Sequence, residues 1–326
     1  MSEEFDWEIP LSAQPKPDQV SFDLDRALGA VVGLRATIPE DAFTAGILGT
    51  ERTGNGVLIS ESGLVLTIGY LVAEAESVWL TASDGSVLAG HALGYDFESG
   101  FGLVQALGRF SVPALEIGSS AALEVGDFVV VAGEGGRRRS LNARVTAKRE
   151  FAGYWEYVLD EAVFTAPPHP NWGGCGLIDR HGRLVGIGSL LVRQAGAGGD
   201  DTLDGNMIVP IDLLKPILDD MQTLGRTQRP PRPWLGAYVT EVDEALVVAG
   251  LAPEGPAEQA ELQVGDQVLA VNRQPVGSLV ELFRSVWAVG EAGVAVPLTV
   301  MRDGEPHEVR VLSATRDEFM KSPQLH

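Results

Sequence analysis

The chain holds one cysteine, Cys175, inside Gly173-Gly174-Cys175-Gly176, with His169 and His181 lying six residues to either side. A thiol attacks as its thiolate, so it needs a base or cation nearby to lower its pKa. A neutral imidazole, titrating near 6.5, could supply that base at pH 7. The competing reading is a small hydrophobe buried on a strand, which the surrounding pattern favours. A metal centre built from Cys175, His169, His181 and His91 lacks the paired spacing of two to four residues found in zinc motifs. No metal or other cofactor is expected.

The elements that must position these residues are short and β-rich. Residues 57–67, 77–81, 87–93, 102–107 and 127–132 read as strands, punctuated by turn signals at Ser62-Gly63, Asp84-Gly85 and His181-Gly182. Many short strands at this spacing indicate barrels or sandwiches. Ile211, Leu214, Ile217, Leu218 and Met221 then recur at helical spacing, with Asp212 as the expected N-cap and Gly225 as the stop.

Three segments carry a specific resemblance. Gly54–Val72 (GNGVLISESGLVLTIGYLV), Gly94–Gln105 (GYDFESGFGLVQ) and His169–Leu177 (HPNWGGCGL) resemble the histidine, aspartate and serine segments of the HtrA family. These are trypsin-fold proteases with a PDZ domain. Ile178–Ser189 resembles the hairpin that follows the serine and holds the register from the other side. The resemblance implies a chymotrypsin-like double β-barrel. It sets the general base at Tyr70, the orienting acid at Gly100 and the nucleophile at Gly173.

A phenol with a pKa near 10 cannot serve as that base, and glycine offers neither acid nor nucleophile. Glu98 stands two positions from the aspartate site, about 7 Å away along a strand. Trp172 takes the place of the family's asparagine, where it either packs or fills the oxyanion region. The expectation is therefore a pseudoprotease, with no catalytic residue and no enzyme activity, acting as a peptide-binding scaffold or adaptor. The alternative is an active endopeptidase in protein quality control. It would be serine-type by family or use Cys175 as a displaced nucleophile, as in the Gly-x-Cys-Gly motif of viral chymotrypsin-like cysteine proteases.

The segments PWLGAYV, GLAPEGPAEQAELQVGDQVLAVNRQPV and LTVMRDGE resemble a PDZ domain of the HtrA type, an α+β fold with a small barrel and two helices. Ser278 and Glu281 suggest a capping box, and Asp303-Gly304 a hairpin turn. The resemblance implies that Trp234, Leu235, Gly236 and Ala237 bind a peptide's terminal carboxylate. The peptide would add as a strand beside 237–239, with Phe283 and Val286 lining the pocket for an apolar last residue. The partners expected are protein C-termini or unfolded segments. The alternative is a groove occupied by the chain itself.

The expected organisation is a mobile arm over 1–20, a protease-fold domain over 21–225, a proline-stiffened linker over 226–232, the PDZ domain over 233–316 and a tail over 317–326. Phe5 and Trp7 are candidates for the trimer contact that the family's N-terminal segment implies. A net charge of −21, from 24 basic and 45 acidic residues, argues against nucleic acid. Arg137-Arg138-Arg139 reads as a solvated hairpin tip. No apolar run approaches the ~20 residues of a membrane span. The lack of a visible leader and the single cysteine suggest a cytoplasmic protein.

Overall fold

The computed structural model describes residues 7–195 and 202–321. It divides into two compact units, one comprising 1–149 and 161–227, the other 150–160 and 228–322. Residues 150–160, which sequence alone set within the first domain, thus cluster with the second.

The first unit begins with α1 (Leu24–Gly29) and β1 (Val31–Thr37), then α2 (Ala45–Leu48). Strands β2 (Glu51–Ser60), β3 (Leu64–Ile68), β4 (Ser77–Thr81), β5 (Val87–Tyr95) and β6 (Phe101–Ala106) join β1 in a closed barrel of order β1-β2-β3-β6-β5-β4. Alternating burial along β1 sends Val32, Leu34 and Ala36 inward, and closure leaves the barrel no free edge. Gly63, at φ +89°, makes the turn between β2 and β3, so 57–67 is two strands.

A second closed barrel, order β10-β11-β12-β9-β8-β7, uses β7 (Phe128–Ala132), β8 (Ser140–Gly153), β9 (Tyr157–Ala166), β10 (Gly176–Ile178), β11 (Leu184–Ala195) and β12 (Thr202–Pro210). The helix α3 (Leu218–Leu224) ends at Gly225, φ +70°. It starts after Pro216 rather than at Asp212. The Asp212 carboxylate instead accepts from Ser119, Ser120, the Ala121 N–H and Lys215.

Residues 7–20 are tied down where mobility was expected. The Ile9 N–H donates to Arg138 O, the Asn142 N–H to Ala13 O, and Ile9 and Gln14 are buried. Phe5 and residues 322–326 lie outside the described residues. Trp7 packs edge-on against His169, beneath the Arg139 guanidinium.

The second unit is a six-stranded sheet built from β13 (Ala237–Val242), β14 (Ala245–Leu251), β15 (Gln267–Val271), β16 (Gln274–Pro275), β17 (Ala295–Arg302) and β18 (Glu305–Leu312). Between them come α4 (Pro256–Gln259) and α5 (Leu279–Trp287). Only half of the capping box forms. Ser278 caps the Glu281 N–H, while the Glu281 carboxylate accepts from Gly277 rather than Ser278. Leu282, Phe283 and Val286 face a core shared with Val239, Val248, Val268 and Leu298.

Candidate functional site

In the first unit the chain around Tyr70 is held by a buried cation. Arg52 donates to Tyr70 O, Ala73 O and Thr44 Oγ1, and Glu74 accepts from the Phe43 and Thr44 N–H groups. Burial lowers the Arg52 pKa to about 10, while the nearby Glu74 opposes that fall. The Tyr70 ring, held in this frame, reaches across to donate its hydroxyl to Ser189 O at 2.8 Å. Burial pushes its phenol up, and the Trp172 side chain hydrogen-bonds it in partial opposition. Trp172 is half-buried beside Tyr70.

Gly173 faces the same hydroxyl. A Cβ at 173 would stand 2.8 Å from Tyr70 Oη, so the tyrosine fills room that a larger residue there would need. Gly100 has φ +83° and donates to Asp96 O, while its carbonyl accepts from the Gly69 N–H. An aspartate at Gly100 would be strained by that backbone. Asp96 is buried and caps Ser99 through both its N–H and its hydroxyl. The structure thus gathers Tyr70, Trp172 and Gly173 but forms no Ser–His–Asp constellation at these positions.

Cys175 has a closer partner than its sequence suggested. Its Sγ lies 3.5 Å from His169 Nδ1 and donates to Asn171 O at 2.9 Å. His169 Nε2 lies 2.9 Å from Arg139 O, so it carries the proton and leaves Nδ1 as an acceptor for the Asn171 N–H. Burial pushes the thiol well above its ordinary range and lowers His169, so the pair rests neutral. Both residues are fully buried. His181 sits away from them, accepting from its neighbour Arg180. Among the described residues no group of three or more histidine, cysteine or acidic side chains could hold a metal.

Sequence reasoning missed Asn55, the hub of this region. Its side-chain amide donates to Asn171 O, Gly173 O and Cys175 Sγ, and its Oδ1 accepts from the Glu134 N–H. Gly174, at φ +76°, leaves no room for a Cβ, which would fall 1.8 Å from Asn55 O. An asparagine inside a β-rich run carries no local signal for such a role.

In the second unit the three consecutive amides of Leu235, Gly236 and Ala237 converge. Gly236 is left-handed at φ +72°, which lets the loop turn its N–H groups to one point. At that point sits a carboxylate of the chain itself. Glu156 Oε1 accepts from the Gly236 N–H at 2.7 Å and from Leu235 and Ala237 at 3.2 Å, and Oε2 accepts from Leu235 at 3.0 Å. Desolvation raises the Glu156 pKa to about 7, although the backbone donors and the Arg316 guanidinium pull the other way. Beside it the Val239 N–H of β13 donates to Tyr154 O at 3.1 Å. Trp234 is buried against Phe319. Phe283 and Val286 are fully covered, in one cluster with Val158 of the hairpin.

Residues 54–187 match the trypsin-like peptidase domain family, and residues 233–312 match the PDZ domain family. Among curated proteins, the "Probable periplasmic serine endoprotease DegP-like" of Pseudomonas fluorescens is 27% identical over 274 residues. That match takes in 80% of this chain and 56% of the relative. The protein of the same name from Pseudomonas putida is 28% identical over 279 residues, 80% of this chain and 55% of its own length. The chain is homologous to the DegP/HtrA serine endoproteases.

It spans little more than half the length of these relatives. Solved structures give the same fold. The HtrA-type protease AlgW with decapeptide matches at TM-score 0.53 and 20% identity, over 90% of this chain and 97% of its own. The serine endoprotease from Yersinia pestis matches at 0.52 and 21%, over 91% and 99%.

Two expectations are corrected by these relatives. The expectation of a non-enzyme is overturned by their names, since proteins matching four-fifths of the chain are designated endoproteases. The cytoplasmic assignment is overturned likewise, because the relatives are named periplasmic. A single cysteine suits either compartment, since one thiol forms no internal disulfide.

Proposed function

We propose that this chain is a polypeptide-binding protein of the HtrA type whose second unit takes the C-terminal carboxylate of a peptide. The observation that carries the reading is the carboxylate already seated on the Leu235, Gly236 and Ala237 amides. A terminal carboxylate has the same two-oxygen geometry, and backbone donors recognise it without regard to side chains. The outward N–H groups of β13, which in the resting chain serve Glu156 and Tyr154 O, would take the peptide as an added strand, and Phe283 and Val286 favour an apolar last residue. The similarity to the HtrA-type protease AlgW with decapeptide supports peptide binding as the class of function. A trimer through the N-terminal segment, where Leu11 is 80% exposed, belongs to the same reading, and sedimentation of the full chain checks it.

The test is capture from a library of decapeptides, each made with a free and an amidated C-terminus, on the full chain. The reading expects the free-carboxylate forms to be retained at least about tenfold better, and Gly236→Asp to abolish the difference, because a carboxylate there repels the ligand. Equal retention of the two forms would overturn it.

A second reading, endopeptidase action in protein quality control, is favoured by the names of the relatives. Within the first unit the residues to test are Cys175 and His169, whose contact supports the displaced-nucleophile form. The thiol rests neutral and enclosed, so attack requires that its surroundings open and that His169 Nδ1 take its proton. Casein digestion that Cys175→Ala abolishes would support this form. Digestion that survives the substitution would place the nucleophile elsewhere.

A further inference from the structure

The hairpin tip of residues 150–160 lies between the two elements that border the proposed peptide groove. On one side Tyr154 O takes the Val239 N–H of β13, and the Tyr154 and Tyr238 rings meet edge to face at 6.2 Å. On the other side Arg284 of α5 pairs with Glu150 at 2.5 Å and Asp160 at 2.6 Å, one acid on each arm of the hairpin. Below, Val158 is buried in the core that holds Phe283 and Val286, with Ala152 packed against it. At the end, Glu156 fills the amide loop with four hydrogen bonds.

These are the features expected of a bound peptide, namely a strand-like carbonyl, an apolar anchor and a carboxylate on convergent amides. Here they come from an internal turn. Glu156 itself has φ +61°, a left-handed backbone that is unfavourable for a residue with a Cβ. A glycine or asparagine would suit the turn better, so the conformation is held by what the Glu156 side chain binds.

We propose that the β8–β9 hairpin is a built-in ligand of this groove, and that an incoming peptide gains the amide loop only by displacing Glu156. The inference rests on the reading of the groove as a carboxylate site. It adds that the site is latched in the resting chain. A peptide's apparent affinity is then its intrinsic affinity reduced by the fraction of molecules with the latch open. Arg284, which holds both flanks of the hairpin without touching the amide loop, sets part of that fraction.

The experiment uses the full chain and one fluorescein-labelled neutral decapeptide ending in valine, as the free acid and as the amide. Fluorescence anisotropy is read for the wild type, for Glu156→Gln and Glu156→Ala, and for the double variant Glu150→Gln/Asp160→Asn. Circular dichroism establishes that each is folded. The proposal expects the free acid to bind Glu156→Ala at least about tenfold more tightly than the wild type, and Glu156→Gln, which keeps one acceptor oxygen, and the double variant by smaller factors. The amide should bind all four equally weakly.

If the free acid outbinds the amide but the variants match the wild type, the latch is overturned and the carboxylate site stands. If free acid and amide never differ, in any variant, the carboxylate site fails and the latch with it. Should Glu156→Ala not fold, Glu156→Gln and the double variant decide the question alone, because both keep the side-chain volumes of the hairpin.

Discussion

At the scale of single residues, Tyr70 and Gly173 are a matched pair, the hydroxyl of one occupying the space the other leaves empty. Tyr70→Phe keeps the ring and removes its donor to Ser189 O, so we expect a loss of about 1 kcal/mol in unfolding free energy by urea titration. Gly174→Ala should be far worse. Its Cβ would lie inside contact distance of Asn55 O on a left-handed backbone, and we expect at least about 3 kcal/mol, read as loss of soluble folded protein. The proximity of Tyr70 to Gly173 was implied by the resemblance, whose register rests on the flanking glycines and apolar residues. Asn55 was not legible, because its partners lie some 116–120 residues away, and the His169 contact to Cys175 was not, because it depends on how the six-residue turn between them folds back.

At the scale of elements, the short strands and their turns could be read from alternation and turn residues, the double barrel and the PDZ-like unit came from the resemblance, and Gly225 ended its helix as expected. The start of that helix could not be read. Asp212 looked like an N-cap, but two serines and the Ala121 amide took its carboxylate first. Glu156 was invisible for a related reason. A glutamate in an aromatic turn reads as a solvated hairpin tip, and its partners lie some eighty residues away in sequence. The turn before β15 is held more conventionally. Asp266 is buried at its carboxylate and paired twice with Arg302, which holds its pKa below the usual range. Arg302→Ala should therefore cost about 2–3 kcal/mol by leaving that charge unpaired, measured by thermal and urea unfolding.

At the scale of the whole molecule, the latch makes stability depend on pH. The Glu156 carboxyl, packed near Arg316, Tyr238 and Tyr154, has a docked pKa of about 7 against 4.5 when free. The docked state therefore holds its proton more tightly. Its stabilisation is full below about pH 4.5 and is lost as pH rises through about 7. We expect the wild type to lose about 2 kcal/mol relative to Glu156→Gln between pH 5 and pH 8, followed by urea unfolding at each pH. An opposite slope would mean that the amide donors outweigh desolvation. The acidic excess of the whole chain, −21, also predicts no retention on duplex DNA at physiological salt.

The central claim is that the Leu235, Gly236 and Ala237 amides form a site for a polypeptide's terminal carboxylate. Backbone amide resonances of the full chain, followed by NMR while a free-carboxylate decapeptide is added, test it most directly. The account predicts that these three resonances move with the free acid, stay still with its amide, and move at lower peptide concentration in Glu156→Gln. Free-acid binding that leaves all three unmoved would contradict it.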